Sequence, residues 1–99
     1  MINQMANGHY SLTLVSGGDW NEFDSQARKI CAKFSLNVLS KAQSVNVKML
    51  DVEKDGVALV LAFDDWENEI CLESSSQGGD HLIMQIAEAL GEKEIDSKS

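Results

Sequence analysis

The sequence predicts an α+β fold, a two-layer sandwich in which a mostly antiparallel four-stranded sheet carries two helices on one face. Three observations predict it: strand-like alternation of apolar residues, two amphipathic helical patterns, and short polar reversals between the last three strands. The resulting element order is β-α-β-β-β-α. A length of 99 residues suits one domain. We expect that domain to span residues 10–91, between a flexible segment (1–9) and a disordered charged tail (92–99).

The first strand and the first helix are separated by a glycine pair. In Tyr10–Val15 apolar and polar side chains alternate, which is typical of a strand with one buried face. Gly17 and Gly18 interrupt that pattern, and Asp19 follows as the N-cap of a helix over about 20–34. Apolar residues recur in this helix at spacings of three and four, which predicts a single buried face.

Three further strands and a second helix complete the predicted fold. Residues 36–43 fit either an extension of the first helix or a connection, so we assign no strand there. Strands are predicted over Val45–Val52, Val57–Phe63 and Ile70–Ser74. The last helix covers about Asp80–Leu90 and ends at a glycine.

Composition and charge indicate a soluble protein and disfavour nucleic acid as a partner. The net charge is −8, and residues 51–99 carry thirteen acids against three bases. Such a chain repels phosphate backbones. Because we find no secretory signal pattern and no apolar run long enough to cross a bilayer, we expect a cytoplasmic protein that does not bind membranes. Cys31 and Cys71 are expected to be reduced thiols.

A turn with two glycines and an aspartate occurs twice, as SGGDW and as QGGDH. Free N–H groups at a helix N-terminus can bind an anion, but Asp19 and Asp80 stand where the anion would lie. Neither turn matches a known phosphate-binding loop, so we interpret both as helix starts with acidic caps. The alternative is a small-ligand-binding protein or enzyme. If the preceding strands are neighbours, both turns would frame one pocket, with these ligand-binding residues: Gly17, Gly18, Asp19, Ser76, Gly78, Gly79, Asp80 and His81.

The other polar candidates have ordinary structural explanations. His81 beside Asp80 could act in acid–base chemistry, but the sequence offers no nucleophile at a fixed spacing from it. Cys31 and Cys71 lie in predicted apolar surroundings, where a thiol is usually inert. The acidic segment DDWENE lacks the EF-hand pattern, and we expect Trp66 within it to pack in the core or at its edge. We therefore expect no catalytic residue, no metal and no cofactor, and an enzyme is the less favoured class.

One strand with apolar side chains on both faces is the most informative feature. In VALVLAF, Ala58, Val60 and Ala62 alternate with the residues expected to face the helices, and Cys71 lies on the corresponding side of the last strand. A half-exposed antiparallel strand would carry polar residues there, so this face needs a cover. Either residues 36–43 or the N-terminal segment supplies it, or a partner does.

These observations favour a small, acidic, non-catalytic protein-interaction module. We expect a homodimer formed through the apolar sheet face, with Ala58, Val60, Ala62 and Cys71 in the interface, or a complex with another protein. A third hypothesis is that the acidic second half mimics nucleic acid and blocks a basic partner.

Overall fold

The computed structural model describes residues 2–17, 19–66 and 68–91. The strands form one antiparallel sheet in the order β1-β2-β6-β5-β4-β3. None of the helices in these ranges has the length and apolar character needed to cross a membrane. Along the chain the elements are β1 (Ile2–Gln4), β2 (Tyr10–Ser16), a 3-10 turn (Trp20–Glu22), α1 (Phe23–Phe34), β3 (Asn37–Gln43), β4 (Val47–Lys54), β5 (Val57–Asp64), β6 (Glu69–Ser74) and α2 (Gln77–Ala89).

The predicted number of strands is wrong, because the sheet contains six strands and not four, whereas the α+β class is confirmed. The two additional strands, β1 and β3, form the two edges of the sheet. β1 lies in the segment expected to be flexible, yet Ile2 pairs with Leu12 and is fully buried. β3 is exposed along its whole length, so it shows no buried alternation that would have identified a strand. The tail predicted to be disordered, 92–99, lies outside the described residues.

The two faces of the sheet are distinguished by residue parity. On the inner face, Leu12, Leu72 and Leu61 lie side by side on neighbouring strands and are fully buried. They belong to one core cluster with the buried side chains of both helices, such as Phe23 and Ile83. Alternate residues point to the opposite side, which we call the outer face. Because both described helices pack on the inner face, no described helix covers the outer face.

The starts of both helices differ from the predicted ones. Asp19 does act as a cap, but of the 3-10 turn: its carboxylate accepts the Asn21 N–H at 3.2 Å. The N-cap of α2 is Ser76, whose hydroxyl oxygen accepts the Gly79 N–H at 3.0 Å. The interpretation of Asp80 as an acidic cap is therefore wrong. α2 begins three residues before Asp80, because a serine hydroxyl upstream satisfies the first free N–H groups.

Candidate interaction surface

The two glycine-rich turns lie at opposite ends of the sheet. β2 and β6 are neighbours, but they are antiparallel, so Ser16 at the end of β2 lies opposite Glu69 at the start of β6. The turn after β6 is consequently at the start of β2, roughly 17 Å from the turn after β2 at 3.4 Å per residue. The expected pocket framed by both turns is therefore wrong: Gly17 and Asp19 do not join the candidates of the second turn. Gly18 lies outside the described residues.

The glycines of the second turn allow close packing of α2 on the sheet. A Cβ atom added to Gly79 would lie 2.5 Å from the Ser74 hydroxyl oxygen and 3.2 Å from the Leu59 side chain. A Cβ atom on Gly78 would meet only Val57, at 3.7 Å. Since a serine hydroxyl already binds the Gly79 N–H, that donor is not free for an anion. This turn is a helix start, and its second glycine is required by the close approach.

Asp80 connects α2 to the start of β2. One carboxylate oxygen lies 2.8 Å from Nδ1 of His9, and the other accepts the Tyr10 N–H at 3.0 Å. Partial burial favours the neutral acid, but hydrogen bonds from His9, the Tyr10 N–H and Ser74 outweigh that effect and lower the pKa of Asp80. The sequence-predicted candidate His81 is exposed. His9 was missed because 71 residues separate it from its partner, and no local pattern indicates the pair.

A depression of about 310 Å³ lies beside this pair. Its described lining contains a carboxylate and an imidazole but neither a serine nor a cysteine. Covalent catalysis by a serine or cysteine nucleophile therefore has no residue in this described lining to carry it. The lining residues are Tyr10, Gln77, Asp80, His81 and Met84.

The four residues predicted to form an interface lie together on the outer face. Ala58, Val60 and Ala62 alternate along β5, and Cys71 on β6 is directly opposite Ala62. On the other side of Ala62 lies Met49 of β4, which is 37% exposed. We call these five side chains the outer strip. Of the segments that could have covered it, 36–43 contributes β3 at one edge of the sheet. The N-terminal segment contributes β1 at the other edge, and its Asn3 and Met5 border a depression of about 210 Å³ on the outer face beside Ala62 and Cys71.

The lysines of the strands all lie on the inner, helix-bearing side. Lys48 donates to the Trp20 carbonyl at 2.9 Å, and its ammonium lies 4.6 Å from the centre of the indole ring. Lys54 donates to the Phe34 carbonyl at 2.8 Å. Lys41 on β3 faces a carboxylate of α1, Asp24, at 3.5 Å. Strand parity therefore places these three cations on the inner side, where they contact the 3-10 turn and α1.

The acidic residues of the strands all lie on the outer face. The ladder places Glu73 beside Val60 and Asp64 opposite Glu69, a like-charged pair directly across two strands. Burial, and secondarily the negative charge of Asp64, raise the pKa of Glu73. Within the described residues, no three His, Cys, Asp or Glu side chains are placed to hold a metal ion. The five acids are Asp51, Glu53, Asp64, Glu69 and Glu73.

The two cysteines are free and lie on opposite sides of the sheet. Cys71 belongs to the outer strip, where burial raises the pKa of its thiol although the hydroxyl of Thr13, 3.6 Å from the sulfur, partly opposes this. Cys31 lines a groove between α1 and β3, and burial raises its pKa as well. Both side chains are therefore neutral thiols at neutral pH and weak nucleophiles.

Trp66 is 81% exposed in the turn between β5 and β6, so the prediction that it packs in the core or at its edge is wrong. The backbone N–H of Trp66 donates to the Asp64 carboxylate at 2.8 Å, which stabilises the turn. β5 ends at Asp64, so Trp66 lies in a turn. The alternation of side chains along a strand therefore does not decide where its indole points. The other tryptophan, Trp20, packs edge-on against Phe63 at 6.0 Å between ring centres.

Comparison with known families adds one assignment. Residues 1–90 match the model of the family described as "Protein of unknown function (DUF3630)". The chain belongs to the DUF3630 family. No curated protein and no solved structure matches it.

The matched region of this DUF3630 protein contains every helix and strand described above. The family description states no activity. The outer face combines an apolar strip, five carboxylates and a nearby exposed indole.

Proposed function

We propose that this DUF3630 protein is a small, non-catalytic interaction module that binds a protein partner through its outer face. The observation that carries the proposal is the outer strip, an apolar row on a sheet face over which no described helix packs. Small side chains such as Ala58 and Ala62 let a partner approach the backbone closely. Removing apolar surface from water contributes about 25 cal/mol per Å², which favours association.

Trp66 gives the proposal independent support. A tryptophan exposed to 81% is unfavourable in isolation, and tryptophan is among the residues most enriched at the energetic centres of interfaces. It lies in the turn that follows Asp64, at one end of the outer face. An interface that includes the strip and this turn would bury both exposed apolar features.

The small-ligand or enzyme alternative has no comparable support. It needed two turns at one end of the sheet, and the antiparallel pairing of β2 with β6 separates them. The serine hydroxyl and the carboxylate of the second turn are engaged in structural hydrogen bonds.

A homodimer formed through the outer face stays a prediction. A symmetric pair would place two equal sets of five carboxylates against each other, and like charges across an interface weaken association. Such a dimer should therefore be favoured by salt and by acidic pH. At neutral pH, a partner other than a second copy of this chain therefore fits the outer face better.

The test replaces the centre of the outer strip. Val60→Lys places an ammonium between two cross-strand carboxylates, Asp51 and Glu73. Opposite charges pair favourably across strands, so we expect this variant to fold. Val45→Lys makes the same change at a position that is 89% exposed and outside the strands. Both variants and the wild type are compared by circular dichroism, by light scattering at two concentrations, and by capture from an extract of the source organism.

The proposal expects a complex that Val60→Lys removes and Val45→Lys retains. The complex is either a dimer seen by light scattering, or a captured protein that is identified by mass spectrometry and rebuilt from purified components. The proposal would be overturned if the wild-type protein is monomeric and captures no protein whose binding is abolished by Val60→Lys.

A further inference from the structure

We infer that the outer face binds a cationic protein segment whose arginine or lysine side chains surround small apolar ones. This inference rests on the proposed interaction function and specifies the chemistry of the partner. It is carried by the separation of charge between the two faces of the sheet, together with the position of the outer strip among the acids.

The charges of the strands are segregated by face. Lys48 and Lys54 bind carbonyl groups of the 3-10 turn and α1 on the inner side. On the outer face, no described strand position carries a lysine or an arginine, so its carboxylates have no strand-borne counter-charge. A complementary partner therefore has to bring positive charge.

On the outer face, a cross-strand row in which two acids flank an apolar residue lies next to a row of apolar residues. Val60 lies between Glu73 and Asp51, whereas the next row has Ala62 between Cys71 and Met49. With strands about 4.8 Å apart, the two carboxylates beside Val60 are roughly 10 Å apart. A segment that lies across this row would place two cationic side chains on the carboxylates and a small apolar residue over Val60.

The environment of Glu73 favours binding of a cationic group from a partner. Its carboxylate is partly buried and close enough to Asp64 to feel that negative charge, and both effects disfavour ionisation. An arginine from a partner that pairs with Glu73 would oppose both effects by favouring the ionised carboxylate. Trp66, in the turn after Asp64, adds an exposed indole, the ring that interacts most strongly with arginine and lysine.

Other occupants match this surface less well. A nucleic acid or an anionic lipid surface would meet five carboxylates, and a second copy bound face to face would double them. An uncharged apolar partner would leave the carboxylates desolvated without partners, which is costly.

The experiment uses a synthetic peptide in which arginine and valine alternate at every second position with glycine between them, so that both side chains share one face of an extended chain. A peptide with glutamate in place of arginine is its negative counterpart. Affinity is measured by fluorescence anisotropy with the full chain at several salt concentrations. Two double variants change the net charge of −8 equally. E69Q/E73Q neutralises the outer face, whereas E22Q/E88Q neutralises exposed carboxylates of the 3-10 turn and α2.

A second readout uses the cysteines as internal reporters. Alkylation by a maleimide is followed at Cys71, on the outer strip, and at Cys31, in the groove between α1 and β3. A peptide bound on the outer face should slow modification of Cys71 and leave that of Cys31 unchanged.

The inference expects binding that E69Q/E73Q weakens about tenfold and E22Q/E88Q changes by less than about threefold, with selective protection of Cys71. Equal weakening by both pairs, or equal protection of both cysteines, would mean attraction by net charge alone and would overturn it. If the cationic peptide does not bind while Val60→Lys still removes a natural complex, this inference fails and the proposed function stands. If Val60→Lys removes no complex either, both fail.

Discussion

Glu73 of β6 and Val60 of β5 lie directly opposite each other on the outer face, so a carboxylate and an apolar side chain share one cross-strand pair. Neither is covered by a described helix. Partial burial of a carboxylate beside an apolar side chain destabilises an isolated domain, whereas at an interface the same carboxylate can pair with a cation from the partner. This pair therefore links the stability of the fold to its proposed function.

Glu73→Gln should stabilise the protein at neutral pH. Burial and Asp64 raise the folded-state pKa of Glu73 above its unfolded value, so its favourable contribution is fully present below that unfolded pKa and is lost as pH rises through the folded pKa. At pH 7 the charged form therefore destabilises the fold, by a few tenths to about 1 kcal/mol after solvent screening. Thermal unfolding at pH 7 and near pH 3.5 measures the difference.

The gain from Glu73→Gln should disappear at the lower pH, because the wild-type group is then neutral as well. Glu88→Gln, at an exposed position of α2, serves as the control and should leave stability unchanged at both pH values. An equal gain at both pH values would contradict the electrostatic explanation.

Asp80→Asn should destabilise the protein by about 1–3 kcal/mol at pH 7, because it weakens charge-assisted hydrogen bonds to His9 and the Tyr10 N–H. The folded-state pKa of Asp80 is lowered, so the wild-type contribution is present above the unfolded pKa of about 3.9 and is lost as pH falls through the folded pKa. The two proteins should converge in strongly acidic solution. Urea unfolding across this pH range is the measurement, and His81→Ala, at the exposed neighbour, should change little.

The two glycines at the start of α2 should respond to alanine in opposite directions. Gly78→Ala should stabilise by about 0.4–1 kcal/mol, since it reduces the freedom of the unfolded chain and meets Val57 only at a normal contact distance. Gly79→Ala should destabilise by about 1–3 kcal/mol, because its methyl group would overlap the Ser74 hydroxyl and force α2 from the sheet. Urea unfolding of the two variants tests this; a Gly79→Ala variant as stable as Gly78→Ala would rule out close packing as the reason for Gly79.

Ile2→Ala should cost about 2–4 kcal/mol, because Ile2 is fully buried opposite Leu12 even though it lies next to the chain start. Val45→Ala, at an exposed apolar position, is the comparison and should be nearly neutral. Thermal unfolding of both variants decides whether β1 belongs to the cooperative fold. A neutral Ile2→Ala would show that it does not.

Periodicity in the sequence predicted the helices and four of the strands, because their buried faces repeat locally. It also indicated that β5 is apolar on both sides, which led to Ala58, Val60 and Ala62. Helix starts were less accurate, because the Ser76 hydroxyl caps α2 whereas the Asp80 carboxylate binds His9 and the Tyr10 N–H, which are distant in the sequence. The whole edge strand β3 was missed because exposed residues show no burial pattern.

The sequence by itself determined the α+β class, the acidic charge, and the alternation that places apolar residues on both sides of β5, because these depend only on neighbours along the chain. The tertiary structure alone decided the number of strands, the ends of the sheet at which the glycine-rich turns lie, the pairing of His9 with Asp80, and the exposure of Trp66. Those features depend on which segments meet in space. Antiparallel pairing of β2 with β6, which places Leu12 beside Leu72 in the core, separates the two glycine-rich turns and brings His9 close to Asp80.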